Sequence, residues 1–136
     1  ELSNLEQIVP APANDVTIPS IFGLEPTHTW CYYFEKADLA RQTDDWALVA
    51  EIGDKVFAIP YHPDDLSEYL PFVEAYARTG RWEDAHDLTR KTADAMPILE
   101  PALCAIWQRV ETDSAAGIPS AQIEKMKGEL GYCPYP

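Results

Sequence analysis

Three histidines and three cysteines are the residues whose types could carry metal or nucleophilic chemistry: His28, His62, His86, Cys31, Cys104 and Cys133. Their spacing gives that chemistry little. A helical zinc site needs two ligands one turn apart, and neither His-x-x-x-His nor Cys-x-x-Cys occurs. In His62-Pro63-Asp64-Asp65 the ring and two carboxylates could gather a cation, but a loop that caps the next helix uses the same residues more simply. Glu83-Asp84 is a carboxylate pair of general acid-base type. It falls at a helix start, where negative charge complements the macrodipole. His86 beside Asp87 reads as a residue flanking the core, with a pH-sensing role as the weaker reading. There is no Gly-x-Ser-x-Gly elbow and no phosphate-binding glycine loop. We therefore expect no catalytic residue, no metal and no cofactor, and not an enzyme. The alternative, a small-ligand or enzymatic domain, would centre on His28, His62 or Cys31. Three cysteines at long spacing do not make a disulfide framework. They leave either free thiols or one bridge with one thiol over, and they do not fix the redox compartment.

The elements that must position these residues read as helices. Trp30, Tyr33, Phe34, Ala37 and Ala40 form one stripe, and Trp46, Val49, Ala50, Gly53, Val56 and Phe57 a second. Leu66, Tyr69, Leu70, Val73, Tyr76 and Ala77 form a third, and Trp82, Ala85, Leu88, Thr89, Thr92, Ala93 and Met96 a fourth. Each repeats at i, i+3, i+4, i+7, the mark of an amphipathic helix. Asp65 and Glu68 have capping-box spacing before the third. Pro101 suits the first turn of a fifth helix with Leu103, Ile106, Trp107 and Val110, after which residues 113–117 form a loop. Pro119 and Ser120 lead a sixth with Ile123, Met126 and Leu130, stopped by Gly131. No segment reads as a strand. Residues 1–28 differ: Pro10, Pro12, Pro19 and Pro26, four acids and no Lys or Arg predict an extended N-terminal arm. Ile18, Ile21, Phe22 and Leu24 are expected to pin that arm to the helical body. The tail 132–136 is expected to be irregular.

The chain has 136 residues, 23 acidic and 10 basic, for a net charge of −13. With 46% apolar residues it is not disordered throughout, and one domain of this length buries roughly two-thirds of its unfolded surface. The acidity argues against a nucleic-acid surface and against docking on anionic lipid. No apolar run reaches the ~20 residues that span a bilayer, so no direct membrane insertion of this segment is expected. The start Glu1-Leu2-Ser3, without initiator Met or leader, points to a processed product or an excised piece.

The stripes repeat in pairs. Tyr33 and Tyr69, Thr43 and Thr79, and Trp46 and Trp82 are each 36 residues apart. A period of this size marks helix-turn-helix arrays. Residues 75–85, AYARTGRWEDA, resemble the tetratricopeptide repeat, with Gly80 at the turn, Trp82 after it, Ala85 at the small contact and Pro97 closing the unit. The first pair is more divergent, and the third, residues 101–131, matches only in periodicity and reads as a degenerate cap. The expected fold is all-α: a right-handed superhelix of about three antiparallel TPR-like pairs over 29–131. Ala37, Ala40, Gly53 and Ala85 let helices approach, and Trp30, Tyr33, Trp46, Phe72, Tyr76, Trp82 and Trp107 read as core between pairs rather than a ligand-stacking surface. The resemblance implies a concave groove on the first helix of each pair. Its candidate partner-binding residues are Phe34, Asp38, Arg41, Gln42, Leu70, Glu74 and Arg78, with Cys31, Ser67 and Ala77 on the same faces. The Lys/Asn arrangement that clamps peptide carboxylates is absent. The groove could accept an extended protein segment, including the chain's own residues 10–28.

A second resemblance is more specific. Residues 28–42, HTWCYYFEKADLARQ, then Asp45-Trp46, Gly53-Asp54, Tyr69-Leu-Pro-Phe72 and residues 101–107, PALCAIW, look like the soluble C-terminal region of multi-span bacterial membrane proteins. These are similar to mannosyltransferase-type glycosyltransferases acting on lipid-linked sugars. The resemblance covers about 28–110. It implies a parent chain with a membrane-embedded catalytic part, to which this domain is appended. No catalytic residue carries over, because the family's catalytic acids belong to membrane-domain loops. The expected function is thus a non-catalytic interaction or scaffolding domain, membrane-associated through its parent, or else a purely structural cap.

Overall fold

The computed structural model describes residues 27–113, 119–130 and 133. Six α-helices follow one another: α1 (Trp30–Gln42), α2 (Trp46–Phe57), α3 (Leu70–Arg78), α4 (Trp82–Ala95), α5 (Glu100–Thr112) and α6 (Ser120–Glu129). Two short 3-10 helices, Leu66–Tyr69 and Pro97–Leu99, precede α3 and α5. There is no strand among the described residues. Each helix packs on its sequence neighbour, and α3 also packs on α5 and touches α1. The arm up to residue 26, the loop 114–117, the stop at Gly131 and the tail other than Cys133 lie outside the described residues.

The 36-residue spacing is built into the turns. After α1, the amide of Asp44 donates to the Arg41 carbonyl and that of Asp45 to the Ala40 carbonyl. After α3, Gly80 donates to Ala77 and Arg81 to Tyr76 in the same pattern. Both are Schellman turns, and both put their pivot in the left-handed region: Asp44 at φ 56° and Gly80 at φ 77°. Thr43 and Thr79 cap the two helices alike, their hydroxyls donating to the Ala40 carbonyl and to the Ala75 and Tyr76 carbonyls. Asp45 then accepts from the Leu48 amide at 3.1 Å and starts α2.

The third stripe is split, and Pro71 is the reason. Proline has no N–H to donate back to Ser67, so an α-helical ladder cannot run through. Leu70 donates to the Ser67 carbonyl instead, and the turn before it tightens to 3-10. The capping box also changes. Asp65 accepts from the Ser67 amide at 2.8 Å, while Glu68 accepts from the indole N–H of Trp30.

The core is continuous. Phe72 to Ala77 are all buried, with α2, α4 and α5 packed around α3. Trp30 meets Tyr69 and Phe72 with ring centroids 5.4 and 5.9 Å away. Trp107 is fully buried and donates to Thr89 Oγ1 at 3.2 Å. Trp30, Phe72, Tyr76 and Trp107 are core residues, while Tyr33, Trp46 and Trp82 are partly buried against it. Gly53 sets the α2–α3 approach: a Cβ there would stand 2.7 Å from Tyr76 Oη and 3.0 Å from Phe72. At the far end Cys104 of α5 is bonded to Cys133, beyond α6, and Cys31 is free and exposed. Of the two thiol arrangements the sequence leaves open, the chain has one bridge.

Candidate functional site

The first helices of the three pairs share one open cleft of about 410 Å³. From α1 come Asp38 and Arg41, and from α3 Leu70, Pro71 and Glu74, with Ser67 just before. From α5 come Ala102, Ala105, Ile106 and Arg109. Its floor is apolar and its polar groups sit in ion pairs. Arg41 Nε donates to Asp38 Oδ1 at 2.9 Å, and Gln42 donates to the other oxygen at 2.9 Å. The Arg41 hydrogen bond, against a smaller opposing effect of burial, holds the Asp38 carboxyl below its ordinary value.

Glu74 anchors the other wall. Only 5% of it is exposed, a costly position for a carboxylate unless it is paired. It receives Arg78 Nε at 3.0 Å and Arg109 Nη2 at 2.5 Å. Arg78 also reaches Asp113, and its guanidinium lies 4.6 Å from the Trp46 ring centroid. Arg109, in contrast, keeps 54% of its side chain in solvent. One buried carboxylate thus fixes two guanidiniums, and one of them faces the cleft with donors to spare.

Of the sequence-derived groove residues, Asp38, Arg41, Ser67, Leu70 and Glu74 come together in this cleft. Gln42 and Cys31 line a neighbouring depression on α1 with Tyr32, Glu35, Lys36, Asp38 and Leu39. Phe34 packs against the core, Arg78 backs the wall through Glu74, and Ala77 is fully buried. The α5 wall was not foreseen. Its signal is the spacing of Ala102, Ala105, Ile106 and Arg109 along one helix face.

A second cleft of about 500 Å³ lies between α2 and α4. There Tyr76 Oη donates to Asp54 at 3.1 Å, and Arg81 bridges Asp54 at 2.7 Å and Asp84 at 2.8 Å. Burial first, then the Asp54 charge, pushes the Tyr76 hydroxyl well above the ordinary phenol range. This hydroxyl is a fixed donor, not a base.

The histidines stay on separate elements. His28 stacks on Tyr32 with centroids 3.5 Å apart. His62 is exposed in the loop after α2, where Asp65 is engaged as a cap. His86 is buried against Trp107, and its Nε2 has no hydrogen-bond partner. Among the described residues no three His, Cys, Asp or Glu side chains converge as metal ligands, and no helix is long and apolar enough to cross a membrane. Comparisons of the chain with protein-family models, with curated proteins and with solved structures find no match in any of the three.

Proposed function

We propose that residues 29–131 are a TPR-like stack of three helix pairs acting as a non-catalytic interaction domain, which holds an extended polypeptide segment in the α1/α3/α5 cleft. The observation that carries this reading is the cleft itself: an apolar floor with Arg41 and Arg109 on its rim, contributed by alternate helices. The two matching Schellman turns, in the 36-residue frame, support the repeat. In such arrays alternate helices line the binding face. The domain would be the appended part of a membrane glycosyltransferase-like parent. The Cys104–Cys133 bridge supports placing it on the oxidising side of that membrane, since cytosolic thiols are kept reduced.

One observation favours a purely structural cap instead: the buried Glu74 carboxylate is already satisfied by Arg78 and Arg109 without a ligand. Affinity capture from source-cell membranes separates the two. The full chain is compared with Ala105→Phe, whose uncharged ring occupies the cleft without competing for Asp38 or Glu74. The interaction reading expects a polypeptide retained by the wild type and reduced at least tenfold by the variant, at equal melting temperature. Equal retention by both would favour the cap. Turnover of a sugar or acyl substrate abolished by one point mutation would establish an enzyme.

A further inference from the structure

We propose that α6 is a pH-released lid: protonation of His86 undocks it from α4 and α5, while the Cys104–Cys133 bridge holds its far end in place. The surroundings of His86 are poised for this. The residue is only 3% exposed, and its Nε2 has no hydrogen-bond partner. Its ring centroid lies 5.3 Å from that of Trp107. A neutral imidazole can sit there with Nε2 as a bare acceptor. An imidazolium carries N–H on both nitrogens, and the one at Nε2 would be buried without an acceptor. Burial weighs most against the charged ring, then Lys125 of α6, with Arg90 of α4 adding to both. The Gln122 backbone and Glu129, both on α6, favour it. Glu129 is already engaged by Arg90, which also holds Asp87. From α5 the neighbour is Trp107, which does not titrate and whose indole N–H donates to Thr89. Glu111 of α5 and Lys127 of α6 pair with each other.

The helix is built to let go. It has 10 residues, too few to be stable away from its support, and packs mainly on α5 with Ile123 and Met126 buried. Its contact with His86 is at Gln122, in its first turn, whereas Cys133 follows its other end and is bonded to Cys104 of α5. Lifting the first turn gives the imidazolium water and takes it away from Lys125. The bridge makes that motion a swing about the far end, reversed when the proton leaves. The proton comes from solvent, and no covalent bond changes. With the lid closed, His86 titrates below its ordinary value of 6.5; with the lid open it returns toward that value. The open form therefore gains on the closed one as pH falls through 6.5, and the gain levels off once the closed-state value is passed.

Amide hydrogen exchange on the full chain with its bridge intact tests this, with rates expressed as protection relative to an unstructured peptide at each pH. Protection at Met126 and Lys127 is expected to lie at least about tenfold below that at Val73 and Tyr76 of α3, the mark of a local opening. It is expected to fall at least about fivefold further between pH 7.5 and 5. The fall should vanish in His86→Leu. Equal protection in α6 and α3 at every pH overturns the proposal, because α6 would then exchange only through global unfolding. A pH-independent α6, or a fall that persists in His86→Leu, overturns it as well. Should His86→Leu fold poorly, Lys125→Glu keeps the histidine and changes only an exposed side chain. It replaces a repelling charge with an attracting one, so the fall should begin at lower pH. An onset that does not move overturns the proposal.

Discussion

Asp44 and Gly80 occupy the same turn position, yet only glycine holds a positive φ without steric cost. Asp44→Gly is expected to raise stability by about 0.5–1 kcal/mol and Gly80→Ala to lower it by about 1 kcal/mol, both read from urea midpoints. Nothing lies within 4 Å of a Cβ at Gly80, so its loss is backbone strain alone. Gly53→Ala differs in kind. The added methyl meets the Tyr76 hydroxyl, which Asp54 holds in place, and an overpacked core costs about 1–3 kcal/mol. Tyr76→Phe removes the donor and leaves Asp54 to Arg81, a loss of about 1 kcal/mol. If Tyr76→Phe relieved most of the cost of Gly53→Ala in a double-mutant cycle, the clash would be confirmed as the cause.

At the scale of elements, α6 packs on α5 with Ile123 and Met126 buried, and its residues Gln122, Lys125 and Glu129 act on His86. Burial first, then the charge of Lys125, holds the His86 imidazole below its ordinary value of 6.5; Arg90 acts the same way, while a Gln122 backbone contact and Glu129 oppose them. The unfolded chain therefore takes up this proton at higher pH than the folded one. Stability from this group is complete above about pH 7.5 and falls as pH drops through 6.5, levelling once the folded-state value is passed. The melting temperature should decline from pH 7.5 to 5, and His86→Leu should flatten that slope. An unchanged slope would assign it to other groups. Reducing the Cys104–Cys133 bridge removes a clasp on the same helix and is expected to cost about 3–4 kcal/mol from loop entropy, with α6 amides exchanging fastest. The helices were legible in the sequence because each stripe is long and ends at Gly, Pro or Asp. The break before α3 was not, since stripe periodicity is blind to one missing N–H at Pro71. Nor was the disulfide pairing, because it joins cysteines whose proximity only the packing of α6 creates. Half of the cleft was legible from α1 and α3. The α5 wall escaped because the third pair lacks the repeat's marker residues, so no frame carried the groove across to it.

For the whole molecule, a net charge of −13 over 136 residues means self-repulsion in the compact state. Raising salt from 10 to 200 mM should therefore increase the melting temperature by about 2–5 °C, as repulsion is screened faster than the exposed pairs weaken. A decrease would show that pairs such as Arg81–Asp54 and Arg90–Glu129 outweigh it. Stacking builds the cleft as well as the core. A single pair could not build the cleft, because its floor comes from α3 and α5 and its rim from α1 and α5. The most direct measurement is photo-crosslinking in the full chain inside its source cells. A photoreactive aromatic residue replaces Ala102 in the cleft, with a control at Ile98, 82% exposed and outside it. The account predicts a defined crosslink to polypeptide, from this chain or another, at Ala102 and none at Ile98. No crosslink at Ala102, or equal yields at both positions, would contradict it.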